Sequence, residues 1–329
     1  MYESAREHPW FSRAAVFFIA AVVLTALGLG GTPVGDLLSP VIGLRDPEVP
    51  ASFGRDLLVG LVLGIAFLVN LEILKVLPFR FQVFVVWGEL LLLFYGFVLS
   101  FDRDFGVIFE VGERSGVSNL YFLITTGAFT TIYVSLIAIA IACVLALLGA
   151  LGKLSSNGMA YAVATFYISF FRGTPLLLQV VLIYTGFAQL GFVLEAVPAG
   201  IAALSLCYGA YMAEIFRAGI EGVPPGQREA AKALGVPEGL IFRKIVFPQA
   251  MRLIVPPTGN QFIAMLKDSS LVSVVGVWEL TKTAQVLGKR DFQVFEFLIA
   301  AAVLYWIMSV GFELLQSRLE AYYGKGQRR

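Results

Sequence analysis

This 329-residue chain holds one histidine, His8, and two cysteines, Cys143 and Cys207. A lone histidine near the N-terminus excludes histidine-based catalysis and any multi-histidine metal site. Both cysteines fall inside apolar runs, where an inert buried thiol is expected rather than a disulfide or a ligand, so no redox compartment follows. Charge is scarce as well. Only 14% of residues are charged and the net charge is +1, which supplies no basic surface for a nucleic-acid partner. A phosphate loop is also missing: Gly152-Lys153 would need a glycine five residues earlier and a Ser or Thr directly after the lysine, and those positions hold Leu147 and Leu154. The chain has no ATP site of its own.

What is abundant is apolar surface. Hydrophobic residues make up 58% and mean hydropathy is +0.82, against roughly 45–50% apolar usage in soluble domains. The expected fold is an all-α polytopic membrane protein. A helix needs about 20 apolar residues to cross a bilayer, and about eight segments qualify: 14–30, 57–76, 81–101, 122–151, 176–193, 199–215, 254–277 and 297–315. The first follows Arg6 and Arg13 like a signal peptide, yet Gly30-Gly31-Thr32 is a poor cleavage site, and we read it as a retained span.

Loop charge orients the spans, because short basic loops stay in the cytoplasm. Lys75 and Arg80 flank the turn between the second and third spans, while Asp36, Asp46, Glu48 and Asp56 outnumber Arg45 and Arg55 in the loop before them. The segment with Asp102, Asp104, Glu110 and Glu113 is again net acidic, against Arg103 and Arg114. Residues 217–252 carry Arg217, Arg228, Lys232, Arg243, Lys244 and Arg252 against Glu221, Glu229 and Glu238. Both termini and 217–252 are therefore placed inside, with the acidic loops outside. Arg318, Lys325, Arg328 and Arg329 agree for the C-terminus. Residues 1–118 read as a three-helix extension and 119–329 as a five-helix core.

Charges within spans need an account, since each costs several kcal/mol facing lipid. Glu72 and Lys75 share a helix face and can pair, as can Glu214 and Arg217. Glu89 sits mid-span without a charge at helical spacing; it is either functional or, as we favour, a protonated or hydrogen-bonded carboxyl that holds helices together. Lys267-Asp268 precedes Ser269-Ser270, and adjacent residues do not share a helix face, so a helix break or separate partners is implied. Pro175 disfavours helix at Thr174, which puts a tilted helix before it and a span after it. Residues 278–296 read as a polar outer connection.

The polar stretch 229–248 reads EAAKALGVPEGLIFRKIVFP. Pro224 and Pro225 suit a helix start, 227–234 are mostly good helix formers, and Gly235 can take the left-handed conformation that closes a helix. A second helix then restarts at Pro237. Glu229, Ala230, Ala231, Gly235, Ile245 and Pro248 are spaced so that this stretch resembles the EAA loop of permease subunits in ATP-binding-cassette importers, with Phe247 where leucine is usual. Phe171-Arg172-Gly173-Thr174-Pro175-Leu176-Leu177, Tyr211-Met212-Ala213-Glu214-Ile215-Phe216-Arg217 and Leu266-Lys267-Asp268-Ser269-Ser270-Leu271 resemble the polar amino acid branch of those permeases, which carries histidine, glutamine, glutamate or arginine; Ser269 stands where threonine is commoner.

This resemblance covers about residues 120–319 and implies that 229–248 docks an ATPase subunit. It implies a second permease subunit, identical or homologous, two cytoplasmic ATP-binding subunits that hold ATP and Mg, and an extracytoplasmic solute-binding protein. This chain would carry no cofactor and do no covalent chemistry, and would lie in a bacterial inner membrane. Gln179, Tyr211, Glu214, Lys267, Asp268, Ser269 and Ser270 are the candidates for the amino acid pathway; Arg172, Gly173, Pro175 and Glu89 are assigned structural roles. The rival readings are an ion-coupled carrier using Glu89, Lys267 and Asp268, a hydrolase with Ser269 or Ser270 activated by Lys267, and a non-transporting scaffold. The topology is tested with single cysteines in a background lacking Cys143 and Cys207. Ser52 and Ser115 should label from outside, and Ser156 and Gln227 should not; outside labelling at Gln227 would overturn the assignment.

Overall fold

The computed structural model describes residues 9–26, 53–99, 104–112, 116–290 and 292–323. They fall into two compact units, Met1–Arg103 and Asp104–Arg329. The sequence reading put its division at 118. The structure puts it earlier because Asn119 Nδ2 donates to Val107 O at 2.9 Å, tying the 3-10 turn Phe105–Ile108 to the second unit. His8, the acidic loop over 27–52 and the basic residues after 323 lie outside the described residues.

The first unit contains α1 (Pro9–Ala26), α2 (Phe53–Val76) and α3 (Phe79–Leu99). Glycine sets how α1 meets α2. A Cβ on Gly60 would lie 2.3 Å from Thr25 Oγ1 and 2.9 Å from Thr25 N, and one on Gly64 would lie 3.1 Å from the Phe17 ring. Close backbone approach of this kind drives helix association in lipid, where burial of apolar surface offers little. Glu72 pairs with Lys75 at 2.8 Å, as their spacing predicts. α3 is exposed along most of its length, and half-buried Glu89 makes no hydrogen bond or ion pair among the described residues.

The second unit is organised on α4 (Asn119–Lys153) and α7 (Ala196–Glu221). Ala138, Ala142, Ala146 and Ala150 recur every fourth residue on α4 and are fully buried, forming one smooth face. A Cβ on Gly209 of α7 would lie 2.9 Å from Leu145 Cβ, and one on Gly149 would lie 3.0 Å from Ala213 Cβ. Polar groups join the same seam: Ser205 Oγ, which donates to Ile201 O at 2.6 Å within α7, also lies 3.2 Å from Ala138 O of α4. Tyr167, on α5 (Gly158–Gly173), donates to Leu206 O at 2.8 Å.

Breaks fall where the sequence placed them. α5 and α6 (Leu176–Gln189) bend by 109° across Thr174-Pro175. α10 (Phe247–Asp268) ends at Asp268, and a 3-10 segment, Ser269–Val275, continues to Gly276 at φ 93°. The expected span over 254–277 is thus in two pieces: the helix break that Lys267-Asp268 implies falls at Asp268, and the 3-10 segment after it closes at left-handed Gly276. The expected outer connection over 278–296 is also more ordered than a polar loop. It forms α11 (Leu280–Arg290), whose start is fixed by fully buried Glu279, which accepts from Thr281 N, Lys282 N and the Tyr305 hydroxyl at 2.8, 2.7 and 2.6 Å. Tyr305 belongs to α12 (Val294–Tyr323).

Among the described residues, five helices are long and apolar enough to cross a membrane, and the bent pair α5–α6 makes a sixth. Two of the eight expected spans fall short by that measure. The described apolar part of α1 is Val16–Ala26, and α10 carries Arg252, Asn260, Gln261, Lys267 and Asp268 along its length.

Candidate functional site: the loop helices and a separate polar face

α8 (Pro225–Ala233) begins with proline in its first turn and ends at Leu234. Gly235 follows at φ 72°. Its N–H bonds to Lys232 O at 2.9 Å, and Val236 N–H bonds to Ala231 O at 3.1 Å. These are the paired hydrogen bonds of a Schellman closure, which depend on a left-handed residue at that position. A Cβ on Gly235 would meet open space, so glycine is required by backbone conformation and not by crowding. α9 (Glu238–Ile241) then runs through a π-helical turn, Phe242–Val246, directly into α10.

The loop has an inner and an outer side. Ala231 and Val236 pack on the core of the unit, as does half-buried Ile245, while Pro248 caps the first turn of α10 and is exposed. Glu229 and Ala230 are exposed and Leu234 is 83% exposed; Glu229 makes no hydrogen bond or ion pair within the described residues. α8 is therefore fixed along one face and free along the other.

A salt-bridge clamp spans the Gly235 turn. Glu238 accepts from Arg228 Nη2 and Nε at 3.0 and 3.2 Å, and pairs with Lys232 through its other oxygen. The hydrogen bond from Lys232, reinforced by Arg228, holds the Glu238 carboxyl below its ordinary range. All three side chains are more than half exposed, so the clamp is weak and sensitive to salt.

Further along the chain, the polar candidates separate into distinct groups. The Arg172 guanidinium lies 5.4 Å from the centroid of the Tyr211 ring, and the Tyr211 ring is 6.5 Å from that of Tyr208. The Tyr208 hydroxyl donates to Asp268 Oδ2 at 2.7 Å. Tyr211, Arg172, Lys267 and Asp268 are all exposed, so a cation, an aromatic face and a carboxylate are joined in one chain of contacts. Tyr208 escaped the sequence reading, although it stands three residues before Tyr211 and so shares its helix face. Arg172, read as structural, belongs to the same chain of contacts.

The remaining candidates have structural partners. Glu214 binds Lys153 at 3.2 Å and Arg217 at 2.8 Å, and Arg217 binds Glu221 at 2.6 Å. Gln179 is buried at the α5–α6 bend, where Nε2 donates to Phe171 O, Thr174 O and Thr174 Oγ1 at 2.9, 3.0 and 2.9 Å. Ser269 is fully buried and donates to Leu266 O at 2.7 Å, an ordinary helix-end bond. Ser270 is half-buried, Gly173 ends α5, and Pro175 starts α6.

The profile of the family described as binding-protein-dependent transport system inner membrane component matches residues 139–323. The chain belongs to this family. It is 36% identical over 201 residues to the probable amino-acid permease protein YxeN of Bacillus subtilis (strain 168), covering 60% of this chain and 90% of that one. It is 34% identical over 218 residues to the histidine/lysine/arginine/ornithine transport system permease protein HisQ of Escherichia coli (strain K12), covering 63% and 96%. A crystal structure of an amino acid ABC transporter with histidines aligns with a TM-score of 0.58 and 40% identity, covering 62% of this chain and 94% of that one. The MetNI methionine ABC transporter in an inward-facing conformation shares the fold at 19% identity and a TM-score of 0.54, covering 62% and 97%. As a family member, the chain is a multi-pass permease subunit of an ABC importer and not itself an enzyme, and the fold implies ATPase and substrate-binding protein partners. The family match includes α8, Gly235, α10 and the Tyr208–Asp268 contact, and begins beyond the first unit.

The permease's clamp gives a pH-dependent expectation. A carboxyl whose folded pKa is depressed contributes above its unfolded pKa, and that contribution is lost as pH falls through the folded value. Spin labels at Gln227 and Leu240 should therefore show a narrow distance distribution at neutral pH that broadens below the ordinary carboxylate range. In Glu238→Gln it should be broad already at neutral pH. A distribution unchanged by either would show that the Gly235 turn alone sets the angle.

Proposed function

We propose that this permease forms one half of the membrane pathway of an importer for polar amino acids, and that the loop 217–252 couples it to ATP hydrolysis on separate subunits. The observation that carries the reading is the Gly235-closed helix pair, anchored by Ala231 on the core and exposing Glu229, Ala230 and Leu234. A helix anchored on one face with small and charged residues on the other suits a groove on a partner. Two permeases, identical or homologous, would assemble with two ATPases that bind ATP and Mg, and with an external solute-binding protein. Both termini would be cytoplasmic.

Relatives named for amino acid transport support the substrate class, and the Arg172–Tyr211–Tyr208–Asp268 chain suits it chemically. A zwitterion presents an ammonium and a carboxylate together, and these residues offer an anion, a cation and aromatic faces for them. Lys267 is on the same exposed segment. Glu214 and Gln179, with their side chains committed elsewhere, serve better as supports of the pathway than as substrate contacts.

Coupling is tested by Gly235→Val and Glu229→Lys in reconstituted complexes. A non-glycine residue in the left-handed region costs about 1–2 kcal/mol, and a β-branched one resists it most. Both variants should insert and express like the parent, yet lose substrate-stimulated ATP hydrolysis and uptake. Glu229→Gln separates charge from shape: if the carboxylate meets a basic group on the ATPase, the amide variant fails as well. Full coupled activity in both Gly235→Val and Glu229→Lys would make the loop a passive connection.

A further inference from the structure

Pro256 and Pro257 stand inside α10, between the coupling loop and Lys267-Asp268. Neither has an N–H, so the carbonyls of Arg252 and Leu253 lose their ladder donors, and the helix is weakened at that turn. A displacement of the loop end of α10 could be absorbed there without reaching its far end. One side chain binds α10 at the far edge of this turn. Gln316, on α12, donates through Nε2 to Pro256 O at 3.1 Å, to Asn260 Oδ1 at 2.9 Å and to Glu320 Oε1 at 2.8 Å. It lies in a slot made by Gly259, where a Cβ would stand 2.8 Å from Gln316 Cδ. One turn further on, Phe262 and Phe312 pack edge to face with centroids 4.9 Å apart. Beside the clasp lies an apolar cleft of about 240 Å³, lined in part by Leu136, Val255, Ile263 and Leu319.

We propose that Gln316 is a positioning residue for coupled transport: by binding Pro256 O and Asn260 on the far side of the hinge, it makes the Lys267-Asp268 part of α10 move as one body with α12. Motion that passes the hinge into this clasped part of α10 then carries α12 with it. The inference rests on the reading that 217–252 meets an ATPase, and it adds the element that carries the motion onward. Gln316 touches neither the substrate candidates nor the loop.

Two substitutions reach the clasp from opposite helices. Gln316→Glu keeps the shape but removes the donor and sets a second carboxylate beside Glu320; Gly259→Ala leaves Gln316 intact but fills its slot. Each is assembled with the ATPases and the binding protein in vesicles, and melting temperature, basal ATP hydrolysis, substrate-stimulated hydrolysis and ATP consumed per substrate imported are measured. The expected result is parent-like assembly, melting and basal hydrolysis, with stimulation down about five-fold or more and more ATP consumed per substrate. Parent-like coupling in both variants overturns the proposal. Loss of assembly or melting temperature in both also overturns it, since the clasp would then only hold the fold; a fold defect in one leaves the other to decide. Absence of ATP-driven uptake in the unsubstituted complex would instead sink the importer reading itself.

Discussion

A backbone in hydrocarbon has no water to bond, so every N–H and C=O must find a partner within the protein. That constraint explains why the described chain is almost wholly helical and why each irregular point is covered by a particular side chain. The α5–α6 bend at Thr174-Pro175 is covered by Gln179. Just beyond the proline pair in α10, Gln316 ties Pro256 O to α12. At the 3-10 stretch after Asp268, Ser269 bonds back to Leu266 O, and Tyr208 holds the Asp268 carboxylate. Amides and hydroxyls do this work because they can bond a carbonyl without bringing a net charge into the apolar region.

The same constraint separates regions that can move from those that cannot. The seam between α4 and α7 brings alanine and glycine together at close range, with Leu204 and Met212 fully buried in the same core, and acts as a fixed frame. The loop outside the membrane faces water and can use a different chemistry. There a left-handed glycine sets an angle through backbone hydrogen bonds, and exposed ion pairs around Glu238 trim it. A rigid frame, a helix with a proline hinge, and a loop whose angle is set by one glycine together suit a subunit that transmits motion.

Much of this was legible in the residues. The Gly235 closure followed from the conformational freedom of glycine after a run of helix formers, the bend from Pro175, and the Glu72–Lys75 and Glu214–Arg217 pairs from their spacing. What was not legible came from contacts distant in sequence. The hydrogen bonds of Gln179 were not legible either, since nothing local shows that its amide reaches back over a bend. Lys153 pairs with Glu214 across 61 positions, and Gln316 reaches Pro256 across 60. Glu279 is hidden by tertiary packing, in a stretch whose polar composition reads as solvent-exposed. The end of α10 at Asp268 agrees with the break that Lys267-Asp268 implies, but the left-handed turn at Gly276 was not legible, because hydropathy alone does not register it.

The account depends on the outer face of α8 meeting an ATPase. That is tested most directly by placing a cysteine at Ala230, in a chain lacking Cys143 and Cys207, and treating the assembled complex with a short bifunctional thiol reagent and cysteine-scanned ATPase subunits. The account predicts an adduct to cysteines lining one groove of the ATPase, with a yield that changes when ATP is bound. An assembled, transport-active complex in which Ala230→Cys forms no adduct with any ATPase position would contradict it.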